Sequence, residues 1–337
     1  MKKLTLIIAT ILFLSSQTDA QTLTNSSKVK WISFEEAVKL QKETPKTIFI
    51  DMYTDWCGWC KKMDQATFTN PNIATYLNSN FYCVKFDAER KDTVFYKGKK
   101  YVNQGQGRRP THQLAIELLK GRMSYPTIVY IDDDFNVNPV GGYMDPIKIE
   151  PLLVYFAERI HKSAQFDDYN VYFEKAFHKK ESPPDLVKWY SFNEAIELNK
   201  KNPKKIVIDI YSKWNKGSAI MNNFTLTDST IAEYFNKYFY PVKLEAETTD
   251  TIIVGEQTFI NEMKVPNYPH QLPIALLQGK MSYPTLVYLD DKSQIINRVN
   301  GYMTPKGIEP IIKYFAEDIY KSSKYEDFLK TFKSKIH

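Results

Sequence analysis

The sequence is poor in cysteine: Cys57, Cys60 and Cys83 are the three sulfhydryl residues in 337. An exported chain stapled by disulfides carries more of them, in even number, so these three read as working groups rather than a covalent framework. Long apolar runs are missing as well. The stretch from Leu4 to Leu14 is too short to span a bilayer, and no later segment approaches the roughly 20 residues that a span needs, so stable membrane insertion is not expected. Charge of one sign is not concentrated either. The net charge of +6 arises from lysines spread along the chain and largely balanced by Asp and Glu, which gives no basis for nucleic-acid binding.

What is present begins with Lys2-Lys3, the apolar run and a small-residue exit at Thr18-Asp19-Ala20. That layout predicts a secretory signal peptide over residues 1–20, and hence a periplasmic or secreted protein. No cysteine follows the apolar run to carry a lipid. With 43% hydrophobic and 14% aromatic residues, the remainder can bury the cores of two ordinary domains.

The chain is one unit written twice. At an offset of 158, WISFEEAVKLQKETPKTIFIDMY from Trp31 matches WYSFNEAIELNKKNPKKIVIDIY from Trp189. GRMSYPTIVYIDD from Gly121 matches GKMSYPTLVYLDD from Gly279 at 10 of 13 positions. One further residue enters the second copy before GYMDPIKIEPLLVYFAE pairs with GYMTPKGIEPIIKYFAE. Pro183-Pro184 excludes a continuous helix between the copies. The expected domains are 21–182 and 183–337, each folding by itself.

Within each unit helix and strand patterns alternate. Ser33 is placed to cap a helix with Phe34, Ala37, Val38 and Leu40 on its apolar face. KTIFIDMY reads as a strand buried on both faces. Asn70 caps a helix with Pro71 in its first turn. FYCVKFDAE and TIVYIDD read as further strands, followed by a short strand near Val137–Gly142 and a final helix from Asp145 to His161. The fold class expected is α/β, a sandwich around a mixed central sheet.

The chemistry is concentrated in TDWCGWCKKM, Thr54 to Met63. Cys57 ends a strand-to-helix turn, where unpaired backbone N–H groups face its sulfur; Cys60 lies one turn deeper on the same helix face. That spacing suits a redox pair, Cys57 exposed and attacking, Cys60 sheltered and resolving. A structural zinc site needs a second ligand pair that the sequence does not supply, so no metal is expected. An inert disulfide closing so short a loop constrains the unfolded chain little. The second copy, SKWNKGSAIM from Ser212, keeps Trp214 and Met221 but has Asn215 and Ser218 in place of the sulfurs.

Over nearly the whole of each repeat the sequence resembles the thioredoxin superfamily, in particular secreted and periplasmic members of the W-C-x-W-C-K type. The resemblance rests on Asp51, on Trp56-Cys57-Gly58-Trp59-Cys60-Lys61, and on Ser124-Tyr125-Pro126-Thr127 before a strand. It implies two tandem thioredoxin-like α/β/α sandwiches, without a cofactor. It also implies a redox-active disulfide Cys57–Cys60, Asp51 as a buried carboxylate handling the resolving thiol's proton, and Pro126 as a cis-proline. Trp56, Trp59 and Tyr125 would join Pro126 in holding substrate, the partners being protein thiols or disulfides and an unidentified redox protein. The sequence departs from thioredoxin in the Gly58-Trp59 dipeptide, the inserted segment 97–121 and the bulky Tyr125. The direction of redox work stays open: a Trp59 N–H donating to the Cys57 thiolate favours the reduced form, while an ionised Asp51 opposes it.

Cys83 reads as a buried, inert thiol. His112 and its counterpart His270 read as structural, capping or core contacts, and Arg108 and Arg109 as solvated. The second repeat, lacking sulfurs but keeping Asp209 and Tyr283-Pro284-Thr285, reads as a module for substrate binding or scaffolding. The rival reading of the whole chain is a non-catalytic binding or assembly protein with a vestigial dithiol.

Overall fold

The computed structural model describes residues 28–105, 107–263, 265 and 267–336, so the predicted signal peptide lies outside the described residues. In the first repeat β1 (Trp31–Ile32) precedes α1 (Phe34–Glu43), β2 (Ile48–Tyr53), α2 (Gly58–Ala66), α3 (Pro71–Asn80) and β3 (Tyr82–Asp87). A hairpin of β4 (Val94–Tyr96) and β5 (Lys99–Tyr101) leads to α4 (Gln113–Leu118), β6 (Thr127–Ile131), β7 (Val137–Gly141), α5 (Pro146–Ala157) and α6 (Phe166–Phe173). The second repeat runs α7 (Phe192–Lys201), β8 (Lys205–Tyr211), α8 (Lys216–Ile220), α9 (Ser229–Tyr238) and β9 (Phe239–Glu245). It continues with β10 (Ile252–Val254), β11 (Gln257–Phe259), α10 (Gln271–Leu277), β12 (Thr285–Leu289), β13 (Ile295–Asn300), α11 (Pro305–Ala316) and α12 (Tyr325–Thr331).

The first sheet has the order β1-β3-β2-β6-β7, with β1, β3 and β2 parallel and β6 and β7 antiparallel to their neighbours. The second has the order β13-β12-β8-β9, and a single bridge, Tyr190 to Val242, stands where the first repeat has β1. Strand alternation decides which helices cover which face. Ile48, Ile50 and Met52 of β2 join the cluster built by α1, α4 and the hairpin, whereas Phe49 joins α3 and α5 on the other face. Both repeats are therefore mixed α/β/α sandwiches, as expected. Asp51, in step with Phe49, points to the α3–α5 side.

The local signals hold: Ser33 Oγ accepts from the Glu36 N–H (3.1 Å), and Asn70 Oδ1 accepts from Asn72 and Ile73. One reading needs correction. The helix expected to reach His161 ends at Ala157, because Arg159 takes a left-handed conformation (φ 58°) before a 3₁₀ turn at Ile160–Lys162. The inserted segment 97–121 supplies β5 and α4 and buries Tyr101, Leu114 and Leu118. The connection between repeats starts helical, α6 continuing as a π-helical turn Glu174–His178, so that only the exposed stretch from Lys179 onward is irregular.

The repeats share a core. A single hydrophobic cluster contains Leu153, Ile160, Tyr169 and Phe173 of the first and Ile220, Met221, Phe224 and Tyr302 of the second. Tyr169 packs edge-on against Tyr302 with ring centres 5.8 Å apart, and Tyr172 lies 6.0 Å from Phe224. Among the described residues no helix is long and apolar enough to cross a membrane.

Candidate active site

β2 delivers the chain to the turn Thr54–Trp56, and Cys57 then caps α2 in an extended conformation (φ −75°, ψ 103°). Its sulfur accepts the Cys60 N–H at 3.0 Å. Cys57 and Cys60 form a disulfide, with Cα atoms 5.3 Å apart. Cys57 was expected to be exposed, but it is 5% accessible and Cys60 3%. What faces solvent is the aromatic collar around them. Trp56 and Trp59 are 48% and 56% exposed, Trp56 packing edge-on against Tyr125 (6.0 Å) and Trp59 tilting against Tyr143 (5.3 Å). The Tyr125–Pro126 peptide is cis, and the Pro126 carbonyl accepts from the Gly142 N–H at 2.8 Å. Tyr125 and Pro126 thus sit beside the motif, although some 65 residues separate them in the chain.

Two cations complete the collar. The Arg109 guanidinium lies 4.3 Å above the Trp56 ring, and the Lys62 ammonium 4.8 Å from the Trp59 ring and 5.3 Å from that of Tyr143. The Trp56 indole N–H donates to Glu89 at 2.9 Å. Arg109 is exposed, in keeping with its reading as solvated, and its guanidinium also covers the Trp56 ring. That contact was invisible in the sequence because Trp56 lies over 50 residues away.

Asp51, on the strand that leads to the motif, is 1% exposed, and its Oδ1 has no hydrogen-bond partner among the described residues. Lys85, its register partner on β3, brings an ammonium to 3.7 Å from Oδ2 but is held more closely by Asp64 of α2. Burial raises the Asp51 pKa to about 7; Lys85 opposes that rise and Asp64 adds to it. Neither Lys85 nor Asp64 was singled out from sequence, though Lys85 recurs as Lys243.

The remaining candidates take structural places. Cys83 is buried on β3, and burial pushes its thiol pKa up to about 12. His112 caps α4, Nδ1 accepting from the Leu114 N–H (3.2 Å) and Nε2 meeting the Asp92 carbonyl (3.1 Å); His270 repeats this with Leu272 and Asp250.

In the second repeat Asn215 stands where Cys57 does. Its Oδ1 accepts the Ser218 N–H at 2.6 Å, the same capping bond with oxygen for sulfur. Asp209 is 1% exposed, and burial raises its pKa to about 7, opposed by Lys243. The Tyr283–Pro284 peptide is also cis, and Trp214 packs edge-on against Tyr283 at 5.8 Å. Here, however, the first domain closes over the motif. The Lys216 and Gly217 N–H groups donate to the Glu158 carboxylate at 3.0 and 2.6 Å.

Residues 15–150 match a family model, Thioredox_DsbH, described as "Protein of unknown function, DUF255", and residues 192–316 match one described as "Thioredoxin-like domain". Spermatogenesis-associated protein 20 of Mus musculus is 36% identical over 67 residues, which cover 20% of this chain and 8% of that protein. Thiol:disulfide interchange protein DsbD of Escherichia coli (strain K12) is 27% identical over 130 residues, 37% of this chain and 19% of that one. The matched region thus spans less than a fifth of the length of these relatives. A solved structure, DsbH Oxidoreductase, is 21% identical, covering 34% of this chain and 73% of its own, with a TM-score of 0.26.

Proposed function

We propose that the chain is an exported thiol-disulfide oxidoreductase that acts on protein thiols and disulfides through Cys57 and Cys60 of its first domain, residues 21–182. The observation that carries this reading is the Cys57–Cys60 disulfide at a helix start, under an exposed aromatic collar and on the same strand-turn-helix unit as the buried carboxyl of Asp51. In the reducing direction the Cys57 thiolate attacks one sulfur of a substrate disulfide, forming a mixed disulfide and expelling the other sulfur as a thiolate, which takes a proton. The Cys60 thiol gives its proton to Asp51, and its sulfur attacks the Cys57 sulfur. The mixed disulfide breaks, the second substrate thiol leaves, and Cys57–Cys60 is oxidised by two electrons. A redox protein returns those electrons, and the oxidising direction is the same path reversed.

The geometry supports these roles. The Cys60 N–H that reaches the Cys57 sulfur favours its anionic form. A carboxyl with a pKa of about 7 accepts and returns a proton near neutrality. Trp56, Trp59, Tyr125 and Pro126 frame the place of an extended substrate. The second domain, residues 183–337, serves as a scaffold. Equilibration with glutathione over a series of potentials tests this reading. The pair should exchange reversibly, a midpoint near about −270 mV marking a reductase and one near about −120 mV an oxidase. If wild type and Cys57→Ser exchange protein disulfides at equal rates, the dithiol is vestigial.

A further inference from the structure

The second repeat has not merely lost its sulfurs; the substitutions around them fit the first domain. Where the first repeat has Gly58-Trp59, the second has Lys216-Gly217. The large exposed ring of Trp59 is replaced by hydrogen, and into that space comes the Glu158 carboxylate. A Cβ added at Gly217 would lie 3.0 Å from Glu158 Oε2, so that the carboxylate would have to give way, and in ordinary contact with Ile160 Cδ1 at 3.5 Å. The residue gained beside it, Lys216, reaches across to pair with Glu150 of α5, its ammonium 5.1 Å from the Phe177 ring and 5.7 Å from that of Phe173. Lys62 becomes Ile220, which is fully buried in the shared core. Each change replaces a feature of an open redox centre with one that seats a neighbouring protein surface.

We propose that the motif at residues 215–218 is a docking site whose ligand is the chain's own first domain, with the Glu158 carboxylate received by the Lys216 and Gly217 N–H groups, so that this motif takes the first domain where an open redox centre would take clients. The inference goes beyond the thiol chemistry and does not depend on it.

Docking is coupled to protonation. Glu158 keeps some accessible surface, but its carboxyl is surrounded by protein, and desolvation lifts its pKa from 4.5 to about 7 against the pull of the two N–H groups and Lys216. The charged and titratable groups around it are Lys216 on α8, Tyr76 on α3, Tyr169 on α6 and Glu150 on α5. Glu150 also meets His178, which pairs with Glu174, and Arg159 turns away to Asp133 at 3.0 Å. A carboxyl whose pKa is higher docked than free holds the domains best below its free range. That contribution is lost as pH rises through about 7.

The test uses the full chain, with small-angle scattering and protease cleavage within the exposed linker 179–186 as readouts. Glu158→Ala and Gly217→Val should enlarge the particle and speed linker cleavage by about tenfold or more. Glu317→Ala, at the equivalent residue of the second repeat, which pairs with Lys313 on its own helix, should match wild type. Glu158→Gln should lose the pH response between 5 and 8, and His178→Gln should keep it. Circular dichroism and reduction of a small disulfide certify the fold, and should a disruptive variant fail to fold, the pH series on Glu158→Gln decides alone. Wild-type compactness and cleavage in folded Glu158→Ala and Gly217→Val would overturn the proposal, as would an undiminished pH response in Glu158→Gln.

Discussion

Lys85 stands directly across the parallel pair β2–β3 from Asp51, yet its ammonium stays 3.7 Å from that carboxylate because Asp64 holds it from the other side. Strand register fixes the first relationship and helix α2 the second. The result is a buried carboxyl only partly neutralised, poised to exchange a proton near pH 7.

Removing Asp51 should separate its cost from its use. Because its pKa is raised in the fold, Asp51 stabilises the protein below its ordinary range and that contribution disappears as pH rises through about 7. Asp51→Asn should therefore be more stable than wild type at pH 8, by on the order of 2–4 kcal/mol in chemical denaturation. Its thiol-disulfide exchange at neutral pH should fall about ten- to a hundredfold. Asp209→Asn should reproduce the stabilisation without the kinetic loss, since no dithiol neighbours it. Unchanged exchange across the pH range in Asp51→Asn would reduce Asp51 to a buried polar group.

Asp64→Asn frees Lys85 for Asp51 and deletes a negative charge that raises its pKa. The pH midpoint of exchange that belongs to Asp51 should move down by about one unit. Asp64→Glu should restore it. A pH-rate profile of each variant is the measurement, and identical midpoints in all three proteins would show that Lys85 does not mediate.

The two sulfurs should differ sharply. Cys60→Ser leaves mixed disulfides on Cys57 that survive denaturing extraction, and Cys57→Ser leaves almost none, while either loses more than roughly a hundredfold in turnover. Equal trapping would contradict the assigned order of attack.

Arg109 packs on the face of Trp56, in a collar whose other cation is Lys62. Arg109→Ala should raise KM for protein disulfides about two- to fivefold with kcat retained, and leave small disulfides unaffected. Loss of kcat on both substrates would point to a structural fault instead.

Truncation should be costly. Sequence suggested that 21–182 folds alone, but ending the chain there bares Ile160, Tyr169 and Phe173, which lie in the shared cluster. The fragment should melt about 10 °C or more below the intact protein. Equal melting temperatures would mean that the shared cluster contributes little.

Short windows of sequence determined a good deal: the duplication, the buried strand IFIDMY, the caps at Ser33 and Asn70, and a dithiol at a helix start. These rest on period-two and period-3.6 patterns and on capping chemistry, which act within a few residues of chain. Even there the sequence misjudged the helix end at Ala157, because the left-handed turn at Arg159 carries no signal in the apolar pattern, and it did not show that the inserted segment forms β5 and α4. Only the tertiary structure placed Lys85 against Asp51, Arg109 on Trp56 and Glu158 on the Lys216–Gly217 main chain. The exchange of Trp59 for Gly217 was visible in the repeat alignment, but its meaning was not. A glycine leaves room, and which group fills that room depends on how two sandwiches pack, a matter of surfaces brought together from 59 residues apart.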